Sequence, residues 1–188
     1  MIMKNESKPK VEQFESKILN EINKTEALII LKVLADEDEN ICKKILQITK
    51  KHLSEIDIEE VALEIYSELE GIDIEELWAN SGASQYGYVE PTGAAWEMVD
   101  ATVKPFIDNL KRYKRLSLHE EFKRYCEGLL KGLYKFDKES KTQFKDYATD
   151  APMEYFGIIL DEWKKGQKSK RDIEEIEKFV KENFPDRK

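Results

Sequence analysis

The stretch that decides the fold is GAAWEMVDATVKPFIDNLKRYKRL, residues 93–116. Trp96, Val99, Val103, Phe106, Leu110 and Tyr113 recur in it at intervals of 3, 4, 3, 4 and 3. That spacing keeps six large apolar groups on one side of an α-helix. Pro105 lies inside the pattern. It has no N–H to give to Ala101 and its ring crowds that carbonyl, so a kink or a break is expected there. Ser117 and Glu120 follow at once with the spacing of a capping box. The next helix carries Phe122, Cys126, Leu129 and Leu133 inward. So short a link turns the chain back on itself as an αα-hairpin.

Working outward, the same period holds almost everywhere. A first helix is predicted near Val11–Ile22. Asn23 is placed as an N-cap, with Glu26 to reach back to it. The segment Glu26–Ala35 contains Ala27–Leu34, ALIILKVL. It is apolar on every side and fits a buried helix or a strand, with its length favouring helix. Asp36 and Glu39 form a further cap pair. The helix after them runs to about Leu53, with Ile41, Ile45, Ile48 and His52 on one stripe. Asp57 starts another, with Ile58, Val61, Ile65 and Leu69 inward and Gly71 at its end. The phrase Ile-Asp-Ile-Glu-Glu occurs at Ile56–Glu60 and again at Ile72–Glu76, with an echo at Asp172–Glu175. Each reads as an N-cap followed by acids at the positive helix end. A short helix over Lys141–Tyr147, one beginning at Asp150 and Pro152 with Met153, Phe156, Leu160 and Trp163 inward, and one from Asp172 to about Asn183 complete the chain.

The fold class is therefore all-α, an irregular bundle or a short helical-repeat-like stack of antiparallel hairpins. Residues 11–184 read as one helical domain after a polar tail, residues 1–10, that composition marks as disordered. A sub-boundary is allowed at residues 79–92. There NSGASQYGYVEPT holds Gly82, Gly87 and Pro91 and breaks the helical period. Strand pairing of Tyr86–Val89 would need a partner that the sequence does not show.

Charge is divided along the chain. Of 39 acids and 31 bases, net −8, none of the bases lies between Lys51 and Lys104. That interval holds 13 acids, so the rest of the chain carries −8 + 13 = +5. Lys104–Lys145 has 12 bases against 6 acids. Lys111, Arg112, Lys114 and Arg115 around Tyr113 could form a nucleic-acid stripe. The acidic total and the nearby glutamates favour a solvated face that partly neutralises the acidic helices.

Signatures of chemistry are sparse. HExxH, GxGxxG, GxxxxGK[ST], paired zinc-site cysteines and the Glu-x-x-His of a di-metal bundle do not occur, so no cofactor and no metal is implied. His52 reads as a structural residue on its stripe and His119 as surface chemistry in a first helical turn. His119 and Cys126 are seven residues apart, about 10 Å along a helix, too far for proton transfer. Cys42 and Cys126 have the spacing of two reduced, buried thiols, as in a cytoplasmic protein. No apolar run is long enough for a membrane span. One loop could bind a small ligand. Tyr86, Tyr88, Glu90, Thr92 and Trp96 fall within eleven residues, with Glu90 as polar anchor and Tyr88 and Trp96 as walls.

GYVEPTGAAWE, CEGLLKGLY and DAPMEYFGIILDEW together resemble a prokaryotic all-helical family to which no activity is assigned. The resemblance spans about Trp78–Trp163. It implies a stacked helical-hairpin fold and assigns no residue a role. The expectation that follows is an interaction or scaffold protein that presents an acidic surface to a protein partner or to a second copy. An enzyme or small-ligand binder using the Tyr86–Trp96 loop is the alternative. Membrane contact is not expected, and nucleic acid is disfavoured.

Overall fold

The computed structural model describes residue 17 and residues 19–85, 87–165, 167 and 169–186. The expected tail at 1–10 and most of the expected helix at Val11–Ile22 lie outside them. Two compact units divide the chain, residues 1–54 and 55–188. The hairpin at residues 82–89 falls inside the second.

The first unit contains α1, Lys24–Glu37, and α2, Glu39–Ser54. Asn23 caps α1 as a complete capping box. Its side chain accepts from Thr25 N and Glu26 N, and Glu26 Oε2 accepts from Asn23 N at 3.0 Å. Asp38, alone between the helices, caps α2: its Oδ1 accepts from Asn40 N at 2.7 Å. The expected cap at Asp36 is thus corrected. With four acids in a row, the one whose backbone is extended takes the capping position, and that is Asp38. Ala27–Leu34 is helix, as its length suggests, but it is not buried. Leu28, Ile29, Ile30, Leu31, Val33 and Leu34 are all exposed. The expected inward stripe on α2 fails too: Ile41, Ile48 and His52 are exposed and Ile45 is only half-buried.

The second unit holds α3, Ile58–Glu70; α4, Ile74–Ala79; strands β1, Gly82–Ser84, and β2, Gly87–Val89; α5, Pro91–Arg115; α6, His119–Glu139; a 3₁₀ turn at Gln143–Tyr147; α7, Ala151–Lys165; and α8, Lys170–Asn183. Asp57 and Asp73 cap α3 and α4, accepting from Glu59 N and Glu75 N at 2.8 Å each. The third echo behaves differently. Ser169 caps α8, and Asp172 sits inside the helix, giving its N–H to Ser169 Oγ at 3.2 Å.

The core stripe of α5 is buried as the spacing requires, with Trp96 half-buried at its start. The helix runs unbroken through Pro105. Its end corrects the expected box at Ser117. Ser117 adopts a left-handed φ of 55°. Leu118 N donates to Tyr113 O and Ser117 N to Lys114 O, both at 3.1 Å. That is a Schellman ending with serine where glycine is usual. A residue in this conformation cannot also serve as an extended N-cap, so Leu118 occupies the cap of α6 with no side-chain bond.

α6 is the central helix, and Phe122, Cys126, Leu129 and Leu133 are all buried in it. Its closest neighbour is α3. A Cβ on Gly128 would stand 2.7 Å from Val61 Cβ and 2.9 Å from Ile58 O, and one on Gly132 would collide with Ala62 O and Ile65 Cγ2. Further along, Tyr66 meets Phe136 edge to face, ring centroids 6.2 Å apart. Contacts advance in the same direction on both helices, so α3 and α6 run parallel. Two glycines one turn apart let the backbones meet where any side chain would hold them off. Trp163 and Ile159 of α7, and Phe184 after α8, are buried as well.

Candidate functional site

The expected loop site becomes a two-stranded antiparallel hairpin, with Ala83 opposite Tyr88 and Gly82 opposite Val89. Gly82 and Gly87 have φ of 95° and 127°, values that L side chains rarely adopt. The partner the sequence did not reveal is Gly82–Ser84, a strand of three residues. Tyr88 is 63% exposed. Glu90 is exposed at the N-cap of α5 and its side chain makes no capping bond. Thr92 is exposed and Trp96 half-buried. Tyr86 lies outside the described residues. Neither of two cavities in the molecule is lined by Tyr88, Glu90, Thr92 or Trp96. One, about 550 Å³, runs beside α1. The other, about 410 Å³, lies between α6, α7 and α8, with Trp163 and Ile176 in its floor and His119, Lys123, Asp172 and Glu175 at its rim. Lys123 and Glu175 pair across it at 3.4 Å.

The thirteen acids from Glu55 to Asp100 stay largely open to solvent. Twelve are exposed, and Glu70 is half-buried. Among the described residues Glu59 alone of the thirteen has an ion pair, with Lys131 at 2.6 Å. Asp57 and Asp73 are used as caps, and Asp100 Oδ1 accepts from the Tyr155 hydroxyl at 2.7 Å. Glu60, Glu64 and Glu68 follow one another at four-residue intervals along α3, all exposed. Like charges at that spacing repel, by roughly 0.2–0.5 kcal/mol per pair. Glu70 Oε2 is buried with no hydrogen-bond partner among the described residues. It and Glu139, together with burial, push the Tyr66 hydroxyl up, burial contributing most.

The basic block turns elsewhere. Lys114 pairs with Glu162 at 3.2 Å, Lys123 with Glu175, and Lys138 with Asp137 and Asp186. The Lys145 ammonium donates to Phe136 O at 3.3 Å and to Asp137 O, closing the carbonyl end of α6. The hydrogen bond from Lys114 holds Glu162 below the usual carboxylate range. Among the described residues, four of these twelve bases pair with acids of α6, α7, α8 or the chain's end, and Lys131 alone reaches an acid of the acidic block. The expectation that they offset the acidic helices is met at one pair.

Apolar groups accompany the open acids. Trp78 is 50% exposed although its ring meets Tyr147 edge to face at 5.1 Å. Leu63 and Val89 are exposed as well. His119 is exposed. Cys126 is buried, and burial pushes its thiol well up, which keeps it protonated and unreactive. Cys42 is half-buried, and both cysteines are free. Among the described residues no group of three or more His, Cys, Asp or Glu is placed to hold a metal ion. No described helix is long and apolar enough to cross a membrane. Comparison with known protein families, with curated proteins and with solved structures finds no match for the chain.

Proposed function

We propose that the second unit is an interaction module that presents its acidic face to a basic protein partner. The observation that carries this reading is the row Glu60, Glu64 and Glu68 within a block of thirteen acids of which one is ion-paired. A row of like charges costs the fold stability. Twelve bases follow directly in sequence, yet among the described residues Lys131 alone of them pairs with an acid of the block, while Lys114, Lys123, Lys135 and Lys138 pair with other acids. A partner that supplies lysines or arginines offsets the repulsion and speeds encounter. Trp78 and Tyr88 offer the rigid aromatic contact area on which interface energy tends to concentrate.

The reading requires strong dependence on salt, because exposed charges are screened over about 8 Å at physiological ionic strength. Affinity capture from native lysate with the full chain, at about 50 mM and about 300 mM salt, tests it. Basic proteins should be held at the lower concentration and released at the higher. The triple variant Glu60→Lys, Glu64→Lys, Glu68→Lys should not hold them. Capture of the same proteins at both salts, or by the variant, contradicts the reading.

A further inference from the structure

The first unit carries a different surface, and its chemistry is self-complementary. α1 and α2 expose nine large aliphatic side chains, from 36% at Leu34 to 59% at Ile48, and neither helix buries a residue. On α1 they stand at positions 28–31, 33 and 34 and so occupy every side of the helix. A helix apolar all round belongs inside something. It does not belong across a bilayer: fourteen residues span about 21 Å, short of a hydrocarbon core of about 30 Å. A groove of about 550 Å³ lies alongside, lined by Ile22, Glu26, Ile29 and Ile30 among others. At about half exposure each of the nine leaves on the order of 80 Å² open, about 700 Å² in all; a second copy covers the share on the side it meets, less than the roughly 800 Å² each partner contributes to a standard interface.

The charges at the helix ends select the partner. Asp36, Glu37, Asp38 and Glu39 gather where the two helices meet in sequence, and Lys24, Lys50 and Lys51 stand at their other ends. Among the described residues Lys24, Asp36, Glu37, Lys50 and Lys51 have no ion pair. Glu26 offsets Lys24 at the start of α1, so it is the helix pair as a whole that runs from acids at its turn to a net positive charge, carried by Lys50 and Lys51, at its open end. A second copy of the pair laid antiparallel sets acids against those lysines at both ends. A parallel copy sets like against like. A twofold axis supplies that arrangement with no further element. We infer that residues 24–54 are a homodimerisation element, in which the α1–α2 unit of one chain packs antiparallel against that of a second. The acidic face of the second unit plays no part in it.

Sedimentation of the full chain between about 1 and 100 μM tests this, since a Kd in that range is ordinary for an interface of this size. The expected species at the upper end has twice the chain mass of 22.1 kDa. Ile29→Glu with Ile48→Glu should return it to 22.1 kDa. Trp78, Trp96 and Trp163 all lie in the second unit, so unchanged tryptophan emission shows that this unit remains folded. If the double variant loses helix by circular dichroism, Lys50→Glu with Lys51→Glu decides, because those side chains are exposed. It should weaken the dimer about tenfold or more, and Asp36→Lys with Glu37→Lys added to it should restore association. Three results overturn the inference: a monomer at 100 μM, a monomer that instead binds phosphatidylcholine vesicles, or a dimer lost on changing Glu60, Glu64 and Glu68 but not Ile29 and Ile48.

Discussion

α1 and α6 are both helices that the apolar pattern announces, yet only α6 is a core. α6 buries nine residues, two of them glycines pressed against α3. α1 is richer in aliphatic side chains and buries none. The difference lies outside either helix. α6 has neighbours on three elements whose stripes match its own, while the many-sided apolar surface of α1 stays open among the described residues. Hydrophobic periodicity states which side of a helix seeks cover. It does not state whether the same chain provides it.

The sharpest way to break the comparison is at the α3–α6 contact. Gly132→Ala should cost about 3 kcal/mol or more, because the new methyl meets the backbone carbonyl of Ala62, which cannot move without α3. Gly128→Ala should cost somewhat less, since Val61 can give. Thermal unfolding followed by tryptophan emission checks both. A cost below about 1 kcal/mol for Gly132→Ala would mean that the backbones do not meet there.

Lys145→Met ranks next. It leaves the Phe136 and Asp137 carbonyls without their charged donor and should cost about 1.5–3 kcal/mol in chemical denaturation. No loss would place the ammonium in solvent. Ser117→Gly should act in the opposite direction and stabilise by about 1 kcal/mol, since it relieves a left-handed backbone. A destabilised Ser117→Gly would contradict the Schellman ending. The smallest effect is expected at the Lys114–Glu162 pair. Glu162 is held below its ordinary 4.5 by Lys114, so its contribution is complete above that value and fades as pH falls beneath it. Partly exposed as it is, the pair is worth under about 1 kcal/mol. Glu162→Gln should therefore narrow the stability gap between pH 7 and pH 3 by no more than that.

Several features were legible because they are local. Asn23 with Glu26, Asp57 and Asp73 cap the helices that they announce, since a cap needs only the next three amides. Caps failed where neighbours competed. Asp38 displaces Asp36 within a run of acids, Ser169 precedes Asp172, and Ser117 is taken by the ending of α5. The stripe of α5 was plain from its spacing. The close α3–α6 contact was not, because what Gly128 and Gly132 permit shows only once α3 is laid beside them. The hairpin was half legible: Tyr88 and Val89 suggested a strand, but the three residues Gly82–Ser84 carry no alternation to mark their partner. The acidic block was visible in sequence. That Lys114, Lys123 and Lys138 would pair with Glu162, Glu175 and Asp186 depended on which helices meet.

Amide hydrogen exchange of the full chain at about 1 μM and about 100 μM compares the two regions in one measurement. The account predicts that α6 is protected equally at both concentrations. α1 and α2 should exchange quickly when dilute and become protected when concentrated. Protection of α1 equal to that of α6 in the dilute sample would contradict it, because the aliphatic side chains of the first unit would then be covered within a single chain.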